Sequence, residues 1–353
     1  MAMRGDEVLL RQLPKVDLHV HLDGSVRPQT IADLAKDQGV ELPISEGEDL
    51  LPYIQVSEEC GSLTDYLSKF DFVVPFLQTE VALERVAYEI VQNSAEHNCR
   101  YVEVRFAPQL HRRKGLSVEE AIRSVVEGLR RGEEDYGVKA KVIAICMRNH
   151  SCEENLEVVE AAGKFIGRGI AAIDLAGDEA AYPPQLFREV FAASRAKGIP
   201  VTIHAGEAGG ADNVYEAVTH LGAVRIGHGV RLKENPAILD MIRKRQVPLE
   251  MCPVSNIQTK AVSGWDAYPI REYFDSGVMV TINTDNPSVS GTNITKEYEI
   301  VADKFGFSLE EIAVLIMNGV EASFLEGEEK VALKREFRRQ LKELGVDLVD
   351  EMI

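Results

Sequence analysis

The stretch Val16-Asp17-Leu18-His19-Val20-His21 is a mainly apolar run that ends in two histidines one residue apart. Side chains at i and i+2 of a strand point to the same face, so a strand here directs both imidazoles toward one metal ion while Leu18 and Val20 pack on the other face. A lone H-x-H pair is a weak signal, because most such pairs are packing or surface histidines. Its meaning depends on the rest of the chain.

Seven further runs rich in valine, isoleucine or alanine follow, most of them preceding a segment with helical periodicity. They are Tyr101–Phe106, Ala140–Met147, Ala171–Leu175, Pro200–His204, Val224–His228, Val247–Met251 and Val278–Asn283. Most are continuously apolar, as is typical of parallel strands covered on both faces. Eight such units predict an α/β fold, a (β/α)8 TIM barrel formed as a single domain over residues 1–353. A doubly wound open sheet is the alternative, but no G-x-G-x-x-G follows the first strand to support it.

The surplus length lies after the first strand, over residues 24–98, where helical patterns predict a lid insertion above the mouth of the barrel. Leu63, Tyr66, Leu67 and Phe70 fall on one helical face. Leu63, Tyr66 and Phe70 are therefore candidates for contact with a substrate, and ordinary packing onto the barrel is the alternative. The tail from Ser308 onward predicts C-terminal helices.

Composition narrows the function. Lysine and arginine total 39 against 57 aspartate and glutamate residues, a net charge of −18. Such a surface repels phosphate backbones, which argues against nucleic acid or an anionic membrane as partner and favours a small neutral or cationic ligand. The first residues lack the apolar core of a signal peptide, and no run approaches the length of a membrane span, so the expected location is cytoplasmic. Five cysteines without a C-x-x-C pair predict reduced thiols.

Functional groups of a TIM barrel collect where strands end and loops begin. Four of the eight histidines lie at such positions, together with two carboxylates. They stand in His19-Val20-His21, His204-Ala205-Gly206-Glu207, Gly227-His228-Gly229 and Asn283-Thr284-Asp285-Asn286. The other four, His97, His111, His150 and His220, fall in helices or loops and are interpreted as packing or surface residues.

Three imidazoles and one carboxylate form a nitrogen and oxygen ligand set suited to zinc. The predicted ligands are His19, His21, His204 and Asp285. Bound zinc makes water a nucleophile at neutral pH. Glu207, three residues beyond His204, is placed to deliver a proton, and His228 is left to orient or deprotonate the water.

The end of the fourth strand, Asp174-Leu175-Ala176-Gly177, lacks the bridging lysine that binuclear barrel hydrolases usually have. One metal ion per chain is therefore expected. Gly177 offers backbone that can approach a small ligand closely.

These residues resemble the adenosine deaminase family of metal-dependent barrel hydrolases over almost the whole chain. The motifs that carry the resemblance are Pro14 to Ser25 (PKVDLHVHLDGS), Asp174 to Glu179 (DLAGDE), His204 to Glu207 (HAGE), Arg225 to Gly229 (RIGHG) and Asn283 to Asp285 (NTD). The resemblance implies zinc held by His19, His21, His204 and Asp285, and hydrolytic deamination of adenosine and 2′-deoxyadenosine by a zinc-activated water. Ammonia and inosine or 2′-deoxyinosine are the implied products.

The resemblance also implies substrate contacts. Glu207 would protonate N1 of the purine, His228 and Asp285 would position the attacking water, the Gly177 N–H would meet N3, and Asp23 would contact the ribose. The family commonly has a second aspartate after the metal ligand, whereas this chain has Asn286. An asparagine amide can always donate to N7, whereas an aspartate must first be protonated.

Two alternatives remain. A related 6-aminopurine, either free adenine or an aminofutalosine-type nucleoside, could be processed by the same chemistry. A non-catalytic binding protein on the same fold is less favoured, because such a protein is expected to have lost a ligand or the acid, and none is missing. Asp23 and the long insertion favour a substrate that carries a ribose.

Overall fold

The computed structural model describes residues 3–44, 48–57, 60 and 63–346, with backbone only for residues 3–7, 63 and 64. Eight parallel strands lie within these residues. They are β1 Lys15–His21, β2 Cys99–Phe106, β3 Lys139–Met147, β4 Ile170–Ala176, β5 Thr202–Ala205, β6 Arg225–His228, β7 Leu249–Met251 and β8 Val280–Ile282. All eight predicted strands are present in the predicted order.

The strands close into a barrel. Neighbours pair in sequence order within β1 to β4 and within β5 to β8. Single bridges join the two halves, Ile173 to Val201 on one side and Val20 to Asp285 on the other. The predicted (β/α)8 barrel is confirmed.

Four strands are shorter than predicted, and β7 and β8 are shorter by two or more residues. The runs Val247–Met251 and Val278–Asn283 contain three-residue strands, β7 and β8. Pro248 has no N–H for the ladder. The Val278 N–H instead donates to the Tyr273 carbonyl, at the end of the preceding helix.

Helices surround the barrel. They are α1 Met3–Gln12, α2 Pro28–Gln38, α3 Leu51–Ile54, α4 Leu63–Val73, α5 Glu80–Glu96, α6 Val118–Tyr136, α7 Cys152–Gly163, α8 Arg188–Ala196, α9 Ala211–Glu216, α10 Pro236–Arg245, α11 Pro253–Gln258, α12 Ile270–Asp275, α13 Pro287–Ser290, α14 Ile294–Phe305, α15 Leu309–Ala322 and α16 Gly327–Glu343. Three of them begin at capping boxes, in which Ser117, Ser151 and Ser308 exchange hydrogen bonds with a glutamate three residues on. Among the described residues, no helix is long and apolar enough to cross a membrane.

The segment between β1 and β2 has two parts. α5 packs against α6 and β2, as a member of the outer ring of helices. α4 reaches the catalytic end of the barrel, where the Tyr66 hydroxyl lies 3.0 Å from Ser290 Oγ, beyond the end of β8. Within the described residues, the contact with the segment beyond β8 therefore comes from α4, whereas α5 packs in the outer ring.

The centre of the barrel is charged rather than apolar. Arg105 bridges Asp174 and Glu250, and Arg225 bridges Glu250 and Glu103. All five side chains are at most 1 % exposed. Buried charges are tolerated when they are paired and hydrogen-bonded, so this network fills the barrel beneath its catalytic end.

Candidate active site

The hydrogen bonds that close the barrel also hold three of the predicted metal ligands. The Asp285 N–H donates to the His19 carbonyl at 2.7 Å, and the His21 N–H donates to the Asp285 carbonyl at 2.7 Å. Residues far apart along the chain are thereby hydrogen-bonded to one another at the mouth of the barrel. This closure brings the side chains at the end of β1 next to those of the loop after β8.

Four buried side chains form a cluster that can hold a metal ion. Each of them offers one ligand atom, and these atoms all lie within 4.8 Å of one another; the residues are His19, His204, His228 and Asp285. The imidazole rings of His19 and His204 pack edge to face, with centroids 4.6 Å apart. The cluster brings together strands β1, β5 and β6 and Asp285, which lies in the loop after β8.

His21 lies beside this cluster. Its Nε2 atom is 3.2 Å from Asp285 Oδ1, and its ring centroid is 5.4 Å from that of His204. The predicted ligand set contains His21, whereas the cluster of four close side chains contains His228. His21 is nevertheless close to the carboxylate of Asp285.

The second nitrogen of two histidines is already bound. Nδ1 of His19 lies 2.8 Å from Glu250 Oε2, and Nδ1 of His204 lies 2.9 Å from Asp174 Oδ2. A carboxylate on one ring nitrogen fixes the tautomer and leaves Nε2 as the ligand atom. Nε2 of His19 is buried and has no hydrogen-bond partner among the described residues, which is the expected state of an atom that binds a metal.

The protonation states fit a cation. Burial, with the nearby Arg105 guanidinium, lowers the pKa of His19 to about 4, so this imidazole is neutral near pH 7. Burial alone would raise the pKa of Asp285, but His19 and His21 outweigh it and hold that pKa well below its usual range. Neutral imidazole and ionised carboxylate are the forms that bind zinc, so His19 and Asp285 fit that ion.

Two residues of the cluster have a strained backbone. His228 and Asp285 have φ angles of 65° and 61°, in the left-handed region that side chains other than glycine seldom adopt. Such strain persists only where the surrounding structure imposes it, and it concentrates at functional sites. In Asp285 it accompanies the closing hydrogen bonds and a 2.5 Å hydrogen bond from Ser255 Oγ to Oδ2.

The predicted acid lies next to His228. Glu207 Oε2 is 3.6 Å from His228 Nε2, and the Thr259 hydroxyl donates to Glu207 Oε1 at 3.4 Å. The Glu207 side chain is 23 % exposed, so it borders the opening of the site. His228 is held from behind, because its Nδ1 atom lies 2.9 Å from the Asn256 amide.

Three predicted substrate contacts line the same end of the barrel. Gly177 has a φ of 109°, which requires glycine, and follows β4 directly. Asp23 is buried in a turn after β1, and burial raises its pKa to about 6. Asn286 is packed against Gly24, where an added Cβ would lie 2.0 Å from Oδ1, and this Oδ1 atom has no hydrogen-bond partner in the described part of the chain.

The predicted lid residues differ in their surroundings. Tyr66 is buried with Val56, Cys60 and Val289, and its hydroxyl lies 3.0 Å from Ser290 Oγ and 3.4 Å from Ser255 Oγ. Phe70 packs against the same apolar group. The side chain of Leu63 lies outside the described residues.

The groups behind the metal cluster have a role that was not predicted from the sequence. Glu250, Arg105 and Asp174 connect His19 with His204, and Ser255 and Asn256 hold Asp285 and His228. A signal was present for the charged groups. Glu103 and Arg105 alternate within the otherwise apolar run Tyr101–Phe106, and charges at i and i+2 of such a strand point into the barrel.

Comparison with known proteins agrees with this geometry. The family model for adenosine deaminase matches residues 14–339. Adenosine deaminase of Clostridium botulinum (strain Okra) is 44 % identical over 324 residues, which is 92 % of this chain and 97 % of the relative.

Two solved structures are similar to the chain over most of their length. Adenine deaminase from Arthrobacter aurescens is 30 % identical, with a TM-score of 0.86 over 94 % of this chain and 99 % of that one. An amidohydrolase from Burkholderia ambifaria with bound zinc is 26 % identical, with a TM-score of 0.87 over 97 % of this chain and 95 % of that one.

Proposed function

The chain belongs to the adenosine deaminase family, and we propose that it hydrolyses adenosine and 2′-deoxyadenosine at C6, giving inosine or 2′-deoxyinosine and ammonia. The observation that carries the proposal is the buried group of His19, His204, His228 and Asp285 with Glu207 at its open side. A nucleophilic water and a proton donor are the two requirements for replacing an aromatic amino group by oxygen, and this site provides a place for both.

The proposed metal is one zinc ion per chain, held by His19, His204 and Asp285 together with His21. When bound, zinc supplies the Lewis acidity that makes water a nucleophile at neutral pH. The carboxylates of Glu250 and Asp174 keep Nε2 of His19 and His204 directed into the site. Strand β4 ends without a lysine, which supports a single ion over a pair.

Glu207 is the proposed general acid. Its proton goes to N1 of the purine, which removes the aromaticity of that ring and makes C6 electrophilic. Water then adds to C6, and its proton passes to His228 or to the Glu207 carboxylate. The amino group then takes up that proton and leaves as ammonia as the C6–N bond breaks. The C6 hydroxyl gives its own proton to the Glu207 carboxylate, which forms the carbonyl of the product and restores the acid. The 3.6 Å separation of Glu207 Oε2 and His228 Nε2 supports a role for both groups as proton carriers in the same reaction.

The purine is oriented by groups at three strand ends. The Gly177 N–H is proposed to donate to N3 and the Asn286 amide to N7, while Asp23 contacts the ribose. Leu63, Tyr66 and Phe70 are proposed to contribute an apolar wall from α4 as part of a lid over residues 24–98. Because Oδ1 of Asn286 has no partner among the described residues, its amide can turn to present NH2 to the ligand without losing a hydrogen bond at that oxygen.

Free adenine is the second candidate substrate, because a structural relative at 30 % identity is described as an adenine deaminase. Asp23 favours the nucleoside, since a ribose supplies hydroxyl groups that can donate hydrogen bonds to its carboxylate. The test is the initial rate of the ultraviolet absorbance change for adenosine, 2′-deoxyadenosine, adenine and an aminofutalosine-type nucleoside. The highest kcat/KM is expected for adenosine, with none in the metal-depleted protein. A higher kcat/KM for adenine would contradict the nucleoside assignment.

A further inference from the structure

The buried carboxylate of Glu179 binds the backbone of the loop that carries Glu207. Oε1 accepts the Gly206 N–H at 2.8 Å and the Asn213 Nδ2 group at 3.0 Å. Oε2 accepts the N–H groups of Glu207, Ala208 and Gly209 at 3.1, 2.9 and 2.7 Å. Four consecutive backbone N–H groups of the loop after β5 therefore converge on one side chain from the loop after β4.

The loop is shaped around this carboxylate. Gly206 has a φ of 70°, and a Cβ added to it would lie 2.8 Å from Val214 Cγ2. A Cβ added to Gly209 would lie 2.7 Å from Glu179 Oε1 and 2.1 Å from Asn213 Nδ2. Gly206 and Gly209 thus need to be glycine so that the N–H groups of the loop can surround the acceptor.

No side-chain cation in the described residues forms an ion pair with Glu179, which is 3 % exposed. The five N–H donors are its hydrogen-bond partners. A carboxylate can accept several such bonds, and charge-assisted hydrogen bonds are shorter and stronger than neutral ones. The arrangement therefore has the strength to fix the loop, and it depends on the negative charge and on both oxygens.

The carbonyl groups of the same loop bind Arg231. Arg231 donates from Nη1 to the Ala208 carbonyl at 2.6 Å and from its N–H to the Gly206 carbonyl at 2.9 Å. These contacts join the loop to the segment after β6. Glu179 supplies the link to β4, so its loss would leave the loop attached on one side.

We propose that Glu179 is a positioning residue that sets the location of the Glu207 carboxyl relative to the substrate. The inference rests on the proposed function, in which Glu207 protonates N1 and Gly177 meets N3. Glu179 is two residues from Gly177 along the chain and bonded to the N–H of Glu207. One side chain therefore maintains the separation between the group that binds N3 and the group that protonates N1.

The test is Glu179→Gln. The amide keeps the shape but offers one oxygen, and its NH2 group faces N–H donors, so two or three of the five hydrogen bonds are lost. Because a misplacement of about 1 Å in a catalytic group can cost on the order of 100-fold in rate, we expect kcat to fall by about that factor. Zinc content should stay at the wild-type value, since no proposed ligand contacts Glu179.

A double-mutant cycle separates positioning from general damage. In a Glu207→Gln background the acid is already absent, so adding Glu179→Gln should change the residual kcat little. An equal fall in both backgrounds would overturn the proposal, because Glu179 would then act on something other than Glu207. Asp178→Asn is the matched control. This neighbouring carboxylate caps the Ala181 N–H on the surface and should leave kcat unchanged.

Gly209→Ala disturbs the same contact from within the loop, because the added methyl group must displace Asn213 or the Glu179 carboxylate. If Glu179→Gln does not yield folded protein, this variant decides the question. A folded Gly209→Ala protein with reduced kcat and wild-type zinc content supports the proposal, and one with unchanged kcat overturns it. Absence of deaminase activity in the wild-type protein would instead reject the proposed function, which makes the two failures distinguishable.

Discussion

Oε2 of Glu250 lies 2.8 Å from Nδ1 of His19, at the point where the buried charges of the barrel meet the metal cluster. The same oxygen accepts from Arg105 at 2.7 Å, and the other oxygen contacts Arg225 and the Thr202 hydroxyl. Glu250 is therefore held from three sides, and it holds the His19 ring in turn. The orientation of a proposed zinc ligand is therefore set by residues that are not themselves proposed ligands.

Glu250→Gln should weaken zinc binding by roughly 10- to 100-fold, because the partner of a ligating imidazole tunes both its orientation and its basicity. The measurement is competition with a chromophoric chelator. Glu103→Gln is the matched control, since Glu103 contacts the other side of Arg225 and no histidine. Both variants should lower the unfolding temperature, but only Glu250→Gln should change zinc affinity. Equal affinities in the two variants would contradict the prediction.

His21→Ala should lose zinc, and His228→Ala should retain it while losing turnover. Nε2 of His21 lies 3.2 Å from Asp285 Oδ1, whereas Nε2 of His228 faces Glu207 and its Nδ1 faces Asn256. Elemental analysis of each purified variant, beside a wild type with about one zinc per chain, is the check. Loss of zinc in His228→Ala with retention in His21→Ala would assign the fourth ligand to His228.

Glu207→Gln should keep the metal and the fold but lower kcat by roughly 10²- to 10⁴-fold, the usual contribution of a general acid. The amide cannot give a proton to N1. Steady-state kinetics on adenosine with zinc content measured on the same sample is the experiment. A metal-loaded variant with wild-type kcat would show that the proton comes from another group.

Asn286→Leu should reduce kcat/KM for adenosine by a factor equivalent to roughly 1–3 kcal/mol, because N7 would be buried without a donor. Asn286→Asp should be milder at low pH, where the carboxyl is protonated and can donate. The matched substrate is 7-deazaadenosine, which has carbon in place of N7. It should be poor for the wild type and little worse for the Leu variant. Equal kcat/KM of wild type and Asn286→Leu on adenosine would rule out contact with N7.

The burial of Glu297 predicts that the free energy of unfolding depends on pH. Burial raises its pKa to about 8, against the hydrogen bonds from Thr292 and Val254, and Asp17 and Lys296 are the charged groups that also act on it. The folded state then binds the proton more tightly than the unfolded state between about pH 4.5 and 8. The free energy of unfolding therefore falls as pH rises through this window.

Glu297→Gln imitates the protonated acid and removes this titration. Its free energy of unfolding should decline less than that of the wild type between pH 5 and pH 8, by an amount on the order of a few kcal/mol, since each pKa unit is worth about 1.4 kcal/mol. Urea unfolding at the two pH values measures the difference, with Asp303→Asn, an exposed carboxylate on the same helix, as control. Parallel declines in wild type and Glu297→Gln would contradict the assignment.

The barrel and the residues at its catalytic end follow from the sequence alone. Strand periodicity is local, and the ends of parallel barrel strands meet on one face, so the motifs themselves place His19, His204, His228 and Asp285 together. Donor chemistry then predicts a zinc site. The strand limits differ from the prediction, because they depend on contacts with residues far away along the chain.

Which atoms face one another depends on the tertiary structure. Strand alternation shows that a side chain points inward, but not that Glu250 binds His19 or that Asp174 binds His204, 231 and 30 residues away along the chain. The cluster contains His228 rather than the predicted His21, and this depends on distances between separate strand ends. The same is true of the four loop N–H groups that Glu179 binds. Local sequence specifies the conformation of each loop only in part. Closure of the barrel, through Val20 and Asp285, fixes how the loops are placed relative to one another.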